Sequence, residues 1–194
     1  MKKKKGIKLN LKSLIANIRI SRMKKKVETT VFNFPSALDN PKNILVCLPC
    51  SLRELTIVKE FLPIITEMFK NAKITLLPTP GIKVSDMYPR KGFIILSPTS
   101  DQLTWAGLPK KNYLTNLQSN KFDMILDLNF EESSFISGIL LSFPDALRVG
   151  KGNHLGKSFY NLEIKTKFLR DERNIYRSIF DTLSVLKGNK AQTA

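Results

Sequence analysis

A short polar segment directly after an apolar run contains the residues with the clearest chemical potential. Ser51 and Glu54 stand three positions apart and follow the run NILVCL, residues 43–48. A glutamate beyond a strand end can act as a general base if its carboxylate reaches a substrate hydroxyl. The same S-x-x-E spacing is that of a capping box, in which the two side chains bind each other's backbone amides where a helix begins. Capping is the favoured role of Glu54, because it needs only local geometry.

Two cysteines lie close to this segment in the sequence. Cys47 and Cys50 have the C-x-x-C spacing of a thioredoxin-like redox pair between a strand and a helix. The helix amino terminus is expected to lower the pKa of the Cys50 thiol. Cys47, however, lies inside the apolar run and is expected to be buried, so two structural cysteines are favoured over a redox enzyme. Two cysteines are also too few for a secreted disulfide scaffold, which favours a reducing compartment.

A glycine-rich segment in the second half of the chain is a weak candidate for binding phosphate. Residues 150–156 have the pattern G-x-G-x-x-x-G, which is not the spacing of the known phosphate loops. A flexible loop is therefore favoured, although Lys151 and His154 would suit an anionic ligand. His154 is the chain's one histidine, and no cysteine or carboxylate cluster surrounds it at metal-ligand spacing. No metal and no cofactor are expected.

Further polar and aromatic residues have two possible roles each. Asp127 and Asn129 end another apolar run, where ligand-binding groups often lie in α/β proteins, but loop capping is the favoured role. Trp105 and Tyr113 are expected to be packing residues, with stacking on a sugar as the alternative.

The elements that position these residues alternate along the chain. Continuous apolar runs predict strands at residues 43–48, 72–77, 92–96, 122–128, 146–149 and 159–165. Helices are predicted at residues 52–71, 111–119, 132–142 and 171–187, the last with Gly188 at its carboxyl end. This alternation predicts an α/β fold with a Rossmann-like, doubly wound and mostly parallel sheet. The ligand edge of such a sheet would carry residues 50–54, 78–83, 97–101 and 129–133.

The amino-terminal residues 1–42 are predicted to be a basic amphipathic extension and linker that precede one domain, residues 43–194. The net charge of +16 is concentrated there, because the first 26 residues hold 11 basic and no acidic residues. The apolar residues of the predicted helix 9–23 form one stripe: Leu11, Leu14, Ile15 and Ile18. The basic residues are Lys2, Lys3, Lys4, Lys5, Lys8, Lys12, Arg19, Arg22, Lys24, Lys25 and Lys26.

A helix of this kind is expected to lie on an anionic membrane surface. A disordered tail and a helix docked on a partner remain alternatives. Nucleic acid is disfavoured as the partner, because no aromatic residues are interleaved for base stacking. The extension lacks the features of a secretory signal, and no apolar run is long enough to span a bilayer. The expected location is the cytoplasm, peripheral to the inner face of the cytoplasmic membrane.

Three stretches resemble the amino-terminal domain of family-nine glycosyltransferases, the ADP-heptose–lipopolysaccharide heptosyltransferases. They are NILVCLPCSLRELTIVKEFLPIITEMFKNAKITLL, NKFDMILDLNFEESSFISGILLSFPDALRVGKGN and RNIYRSIFDTLSVLKGN. The resemblance implies an acceptor-binding, Rossmann-like domain of a two-domain transferase whose second domain binds ADP-heptose. It therefore implies a stand-alone domain that binds a glycan or lipid-linked acceptor, or an accessory subunit in cell-envelope glycan synthesis. Such a domain would lack transferase activity unless a separate donor-binding subunit completes it.

The chain departs from the family at the catalytic loop. The family has Gly-Asp there, with the aspartate as the proposed base, and the matching residues are Arg53 and Glu54. The Arg53 cation is expected to keep Glu54 ionised and to weaken it as a base. The candidate ligand-binding residues are Ser51, Arg53, Asp127, Asn129, Lys151 and His154. The alternatives to the glycan role are a small redox or nucleotide-dependent α/β enzyme, and a binding module that uses the basic tail.

Overall fold

Six parallel strands form one sheet at the centre of the protein. The structure is a computed structural model that describes residues 11–27, 30–34, 36–82, 84, 87–88, 92–151, 159–168 and 170–188. The strands are β1 (Asn43–Cys47), β2 (Lys73–Leu77), β3 (Phe93–Ile95), β4 (Met124–Asp127), β5 (Leu147–Lys151) and β6 (Leu162–Ile164). They are arranged in the order β3-β2-β1-β4-β5-β6, and every pair is parallel. The predicted parallel, Rossmann-like sheet is confirmed.

Six helices accompany the sheet in the described residues. They are α1 (Leu11–Lys26), α2 (Ser36–Asp39), α3 (Leu52–Met68), α4 (Lys111–Gln118), α5 (Ser134–Leu141) and α6 (Glu172–Leu186). A 3₁₀ turn spans Ser100–Gln102. The third helix ends three residues before its predicted end, because the backbone leaves helical geometry at Phe69. Gly188 follows α6 at φ +84°, a left-handed conformation that favours glycine, as predicted for the carboxyl end of this helix.

The central strands β1 and β4 are buried on both faces, and their side chains alternate between two cores. Ile44 and Val46 point to the core that α3 and α6 cover, whereas Leu45 and Cys47 point to the core under α4 and α5. This double burial explains why these two strands are almost entirely apolar.

α1 is not a free tail, because its Ala16 is fully buried against the body of the protein. Ala16 packs with Ala106 and Leu108 in a small core that Ile15 and Ile20 border, and the helix lies against α5. α1 thus forms an outer layer on α5, which itself covers one face of the sheet.

The segment after α1 also belongs to the packed body. Leu38 of α2 is fully buried in the larger core, and Phe32 and Phe34 pack against it. The Thr30 hydroxyl donates to the Pro144 carbonyl at 3.2 Å. In the segment 27–42, which is predicted to be a linker, Thr30, Phe32, Phe34 and Leu38 thus contact the body of the protein.

Candidate functional site

The candidate site lies where the strand order changes direction. The chain builds β1, β2 and β3 towards one side and then returns to place β4 on the other side of β1. Cys47 and Asp127 are register partners at the carboxyl ends of β1 and β4. In doubly wound sheets the loops after such a pair of strands usually diverge and border the ligand site, and we call this position the crevice. One loop carries Ser51 and leads to Glu54, and the other carries Asn129.

Ser51 begins α3 as its cap. Its backbone is extended, with φ −89° and ψ 139°, and its hydroxyl oxygen accepts a hydrogen bond from the Glu54 backbone N–H at 3.1 Å. This bond satisfies one of the amides that a helix start leaves without a partner. The predicted capping geometry is confirmed, and it holds Glu54 in the first turn of α3 at the crevice.

The Glu54 carboxyl group is electrostatically unusual. The side chain is only 9% exposed, and burial raises its pKa, as does repulsion from Glu172 and Glu131, while hydrogen bonds with Ser51 lower it. The expectation that Arg53 keeps Glu54 ionised is wrong. The Arg53 Nε atom lies 2.8 Å from a Glu172 carboxylate oxygen, so its charge is directed towards α6. A carboxyl group with a raised pKa is a stronger base at neutral pH than an ordinary glutamate.

The two cysteines lack the chemistry of a redox pair. Cys47 is fully buried, and burial together with the nearby Asp127 raises its pKa well above the ordinary range. Cys50 is exposed, yet burial of its thiol, Glu131 and Glu54 raise its pKa too. The lowered pKa expected from the helix amino terminus is therefore wrong, because burial and the neighbouring carboxylates raise it instead. Reactive thiols need a lowered pKa, so neither cysteine is activated.

Asp127 is a buried carboxylate with a full set of donors. It is 3% exposed; its Oδ1 atom accepts from the Asn129 backbone N–H at 3.0 Å and from Asn129 Nδ2 at 2.7 Å. The Tyr160 hydroxyl donates to its Oδ2 atom at 2.8 Å. Burial raises the pKa of Asp127, and these three hydrogen bonds oppose the rise. The arrangement matches the loop-capping role that the sequence favours for Asp127 and Asn129.

Gly150 has a packing role in the same cluster. It is the register partner of Asp127 on β5, and a Cβ atom there would lie 2.4 Å from the Tyr160 ring. The absence of a side chain lets Tyr160 lie over the strand and reach Asp127. Lys151 follows, with its Nζ atom 4.9 Å from the centroid of the Phe130 ring. His154 and the remainder of the glycine-rich segment lie outside the described residues.

Two buried hydroxyl groups at this edge have no hydrogen-bond partner among the described residues. They are Thr79 Oγ1, just beyond β2, and the Tyr113 hydroxyl in the first turn of α4. The Tyr113 ring packs 6.0 Å from the Phe135 ring, and burial raises the pKa of Tyr113 to about 12. Buried hydroxyls are normally paired, so these two are donors available to a ligand.

The basic residues predicted to bind a membrane lie on α1 or outside the residues that the structure describes. Lys2, Lys3, Lys4, Lys5 and Lys8 lie outside the described residues, whereas the other six basic candidates are on α1: Lys12, Arg19, Arg22, Lys24, Lys25 and Lys26. In the described part of the chain, no group of three or more His, Cys, Asp or Glu side chains could hold a metal ion. No helix there combines the length and apolarity needed to cross a membrane.

Solved structures with the same fold come from glycosyltransferases. Escherichia coli heptosyltransferase WaaC with ADP aligns at a TM-score of 0.57 and 14% identity, over 78% of this chain and 49% of that chain. WaaC with ADP-2-deoxy-2-fluoro heptose aligns at 0.56 and 12% identity, over 78% and 50%. A family 9 glycosyltransferase from Veillonella parvula aligns at 0.52 and 12% identity, over 80% and 44%. No protein-family model and no curated protein sequence matches the chain.

These similarities confirm the predicted resemblance at the level of the fold. The chain spans about half the length of the solved structures that it matches. Identities of 12–14% carry no information about the reaction.

Proposed function

We propose that this protein is a glycosyltransferase-like domain that binds a glycan acceptor at the crevice between β1 and β4. The acceptor is lipid-linked and belongs to cell-envelope glycan synthesis, as the heptosyltransferase resemblance implies. The observation that carries the proposal is the position of Glu54 at this crevice with a raised pKa. A carboxylate of this kind accepts a hydrogen bond from a sugar hydroxyl and can remove its proton during transfer.

A sugar hydroxyl can donate and accept a hydrogen bond, so it suits the carboxylate of Glu54. The hydroxyls of Thr79 and Tyr113, which lie after β2 and at the start of α4, are further polar groups on this side of the sheet. Transfer itself also needs an activated donor. We propose that a donor-binding unit outside this domain supplies the ADP-sugar, as the heptosyltransferase resemblance implies.

The test is a calorimetric titration of the purified chain with lipid A–core oligosaccharides and, separately, with ADP-heptose. The oligosaccharide is expected to bind and ADP-heptose is not. Glutamine has the same length as glutamate and can also take this position of a capping box. Glu54→Gln therefore removes the charge, while the start of α3 should be retained. Loss of one hydrogen bond to a charged group predicts roughly ten-fold weaker oligosaccharide binding.

A matched variant separates the site from a general effect of charge. Glu67→Gln makes the same change on the same helix, at an exposed position near its other end, and should leave binding unchanged. The proposal fails if no oligosaccharide binds. It also fails if Glu54→Gln and Glu67→Gln bind the oligosaccharide equally well, or if ADP-heptose binds to the chain alone.

A further inference from the structure

α1 has two apolar stripes on opposite sides, and only one is used to dock it. At 100° per residue, Ala16 and Ile20 lie on the side that faces the body, and Leu11, Leu14 and Ile18 lie within roughly 60° of one another on the opposite side. These three side chains are 60%, 41% and 45% exposed. Three of the four residues of the stripe predicted from the sequence therefore point away from the protein, whereas the fourth, Ile15, packs against the small core around Ala16.

Trp105 is a further exposed apolar side chain beside α1, on the flank of the helix that carries Lys12. It is 60% exposed in the loop between β3 and α4, and Lys12 Nζ lies 5.7 Å from the centroid of its ring. The next residue, Ala106, is buried against α1 with Ala16, so Trp105 is held beside the helix. An exposed tryptophan next to lysine is typical of surfaces that sit at a membrane interface.

The charge around the outward stripe of α1 indicates which class of partner can bind it. α1 carries six basic and no acidic residues, and five further lysines precede it in the sequence. A second copy of the same face would be repelled by like charge. Nucleic acid would leave the aliphatic stripe of Leu14 and Ile18 unused. An anionic bilayer surface satisfies both features, because lipid headgroups attract the lysines and the acyl boundary accepts the apolar side chains.

We propose that the outward stripe of α1 (Leu11, Leu14 and Ile18), its basic residues and Trp105 together form a docking surface for anionic membranes. Trp105 follows β3, so it lies at the same edge of the sheet as Glu54. Docking would hold this edge close to the bilayer, where a lipid-linked acceptor is presented. That last consequence rests on the proposed function, whereas the docking surface stands on α1 and Trp105 alone.

The test uses the full chain, because removal of α1 would expose the contacts around Ala16. The protein is mixed with vesicles of phosphatidylcholine alone or with one third phosphatidylserine, and binding is measured by sedimentation. Trp105 is the only tryptophan, so its emission reports its own environment. Binding is expected only to the anionic vesicles, with a blue shift of the emission. Brominated acyl chains should quench it.

The decisive variant is Leu14→Ser with Ile18→Ser, which keeps every charge and changes only exposed positions. Its vesicle affinity should fall about ten-fold for each side chain, and the blue shift should disappear. Val185→Ser, an equally exposed apolar position on α6, is the matched control and should bind as the unmodified chain. Circular dichroism verifies that all three proteins are folded.

Several results would overturn the docking surface. Equal vesicle binding by the double serine variant and the unmodified chain would mean that charge alone attracts the protein. Dimerisation that the double variant abolishes would identify the stripe as a protein contact, and a Trp105 shift with single-stranded DNA at equal charge concentration would favour nucleic acid. These assays contain no glycan, so their failure would leave the oligosaccharide titration unaffected.

Discussion

Removal of the Tyr160 hydroxyl tests whether the buried Asp127 cluster has the geometry described. In Tyr160→Phe the ring stays over Gly150, so no cavity forms, but Asp127 Oδ2 loses its donor. Hydrogen bonds to charged groups contribute roughly 1.5–3 kcal/mol, and a carboxylate oxygen left buried without a donor costs at least as much. The free energy of unfolding at neutral pH should therefore fall by about 1.5–3 kcal/mol.

The loss of stability in Tyr160→Phe should depend on pH, because it follows the ionisation of Asp127. Burial raises the pKa of Asp127 above its ordinary value, and the Tyr160 hydroxyl lowers it again. Without that hydroxyl the pKa of Asp127 rises further, because the ionised form loses its partner. The difference between the two proteins is thus fully present at pH values above the native-state pKa of Asp127 in both of them. It shrinks as the pH falls through these two raised pKa values, because the unfolded state titrates alike in both proteins.

Urea unfolding at pH 7 and pH 4.5 measures the loss of stability and its dependence on pH. The midpoint should fall at pH 7 with an unchanged slope, and by less at pH 4.5. Tyr113→Phe is the matched control, because it removes a buried hydroxyl that has no partner and should not lower stability. Equal losses in the two variants, or a Tyr160→Phe loss that grows as the pH falls, would refute the hydrogen bond to an ionised Asp127.

Three further predictions follow from the packing and the thiols. Gly150→Ala should lower the free energy of unfolding by about 1–3 kcal/mol, and by much less in a Tyr160→Ala background; equal losses in both would remove the steric explanation. Deletion of residues 1–26 exposes the contacts of Ala16 and should lower the melting temperature in calorimetry by roughly 2–4 °C for each kcal/mol that these contacts contribute, whereas a free tail would leave it unchanged. Cys50 should react with a thiol reagent more slowly than a free cysteine at pH 7, and Cys47 only after unfolding; fast native reaction of both would restore the redox alternative.

The fold could be predicted because its signals are local and repeated. The central strands β1 and β4 are nearly continuous apolar runs, and such runs alternate with predicted helices along the chain, which together favour a parallel sheet. The role of α1 could not be predicted in the same way. Ala16 is small and contributes little to an apolar pattern, so the stripe that docks was hidden by the larger residues of the outward stripe.

The candidate site was predictable only where its contacts are close in sequence. Ser51 and Glu54 form a cap three residues apart, and the spacing alone predicts it. Arg53 precedes Glu54 directly, but neighbouring residues on a helix point in different directions, so its charge reaches Glu172 instead. Tyr160 lies 33 residues from Asp127, and no pattern in the sequence connects them.

The charges at the crevice indicate which part of a lipid-linked glycan would contact it. Three carboxylates repel negative charge there: Glu131 and Glu172 raise the pKa of Glu54, and Glu131 and Glu54 raise the pKa of Cys50. A phosphate placed among these carboxylates would be repelled, whereas neutral sugar hydroxyls would not. The phosphates of such a ligand would instead be attracted to the basic residues of α1. A glycan stripped of its phosphates should therefore still bind at the crevice, and a phosphorylated fragment without neutral sugars should not compete with it.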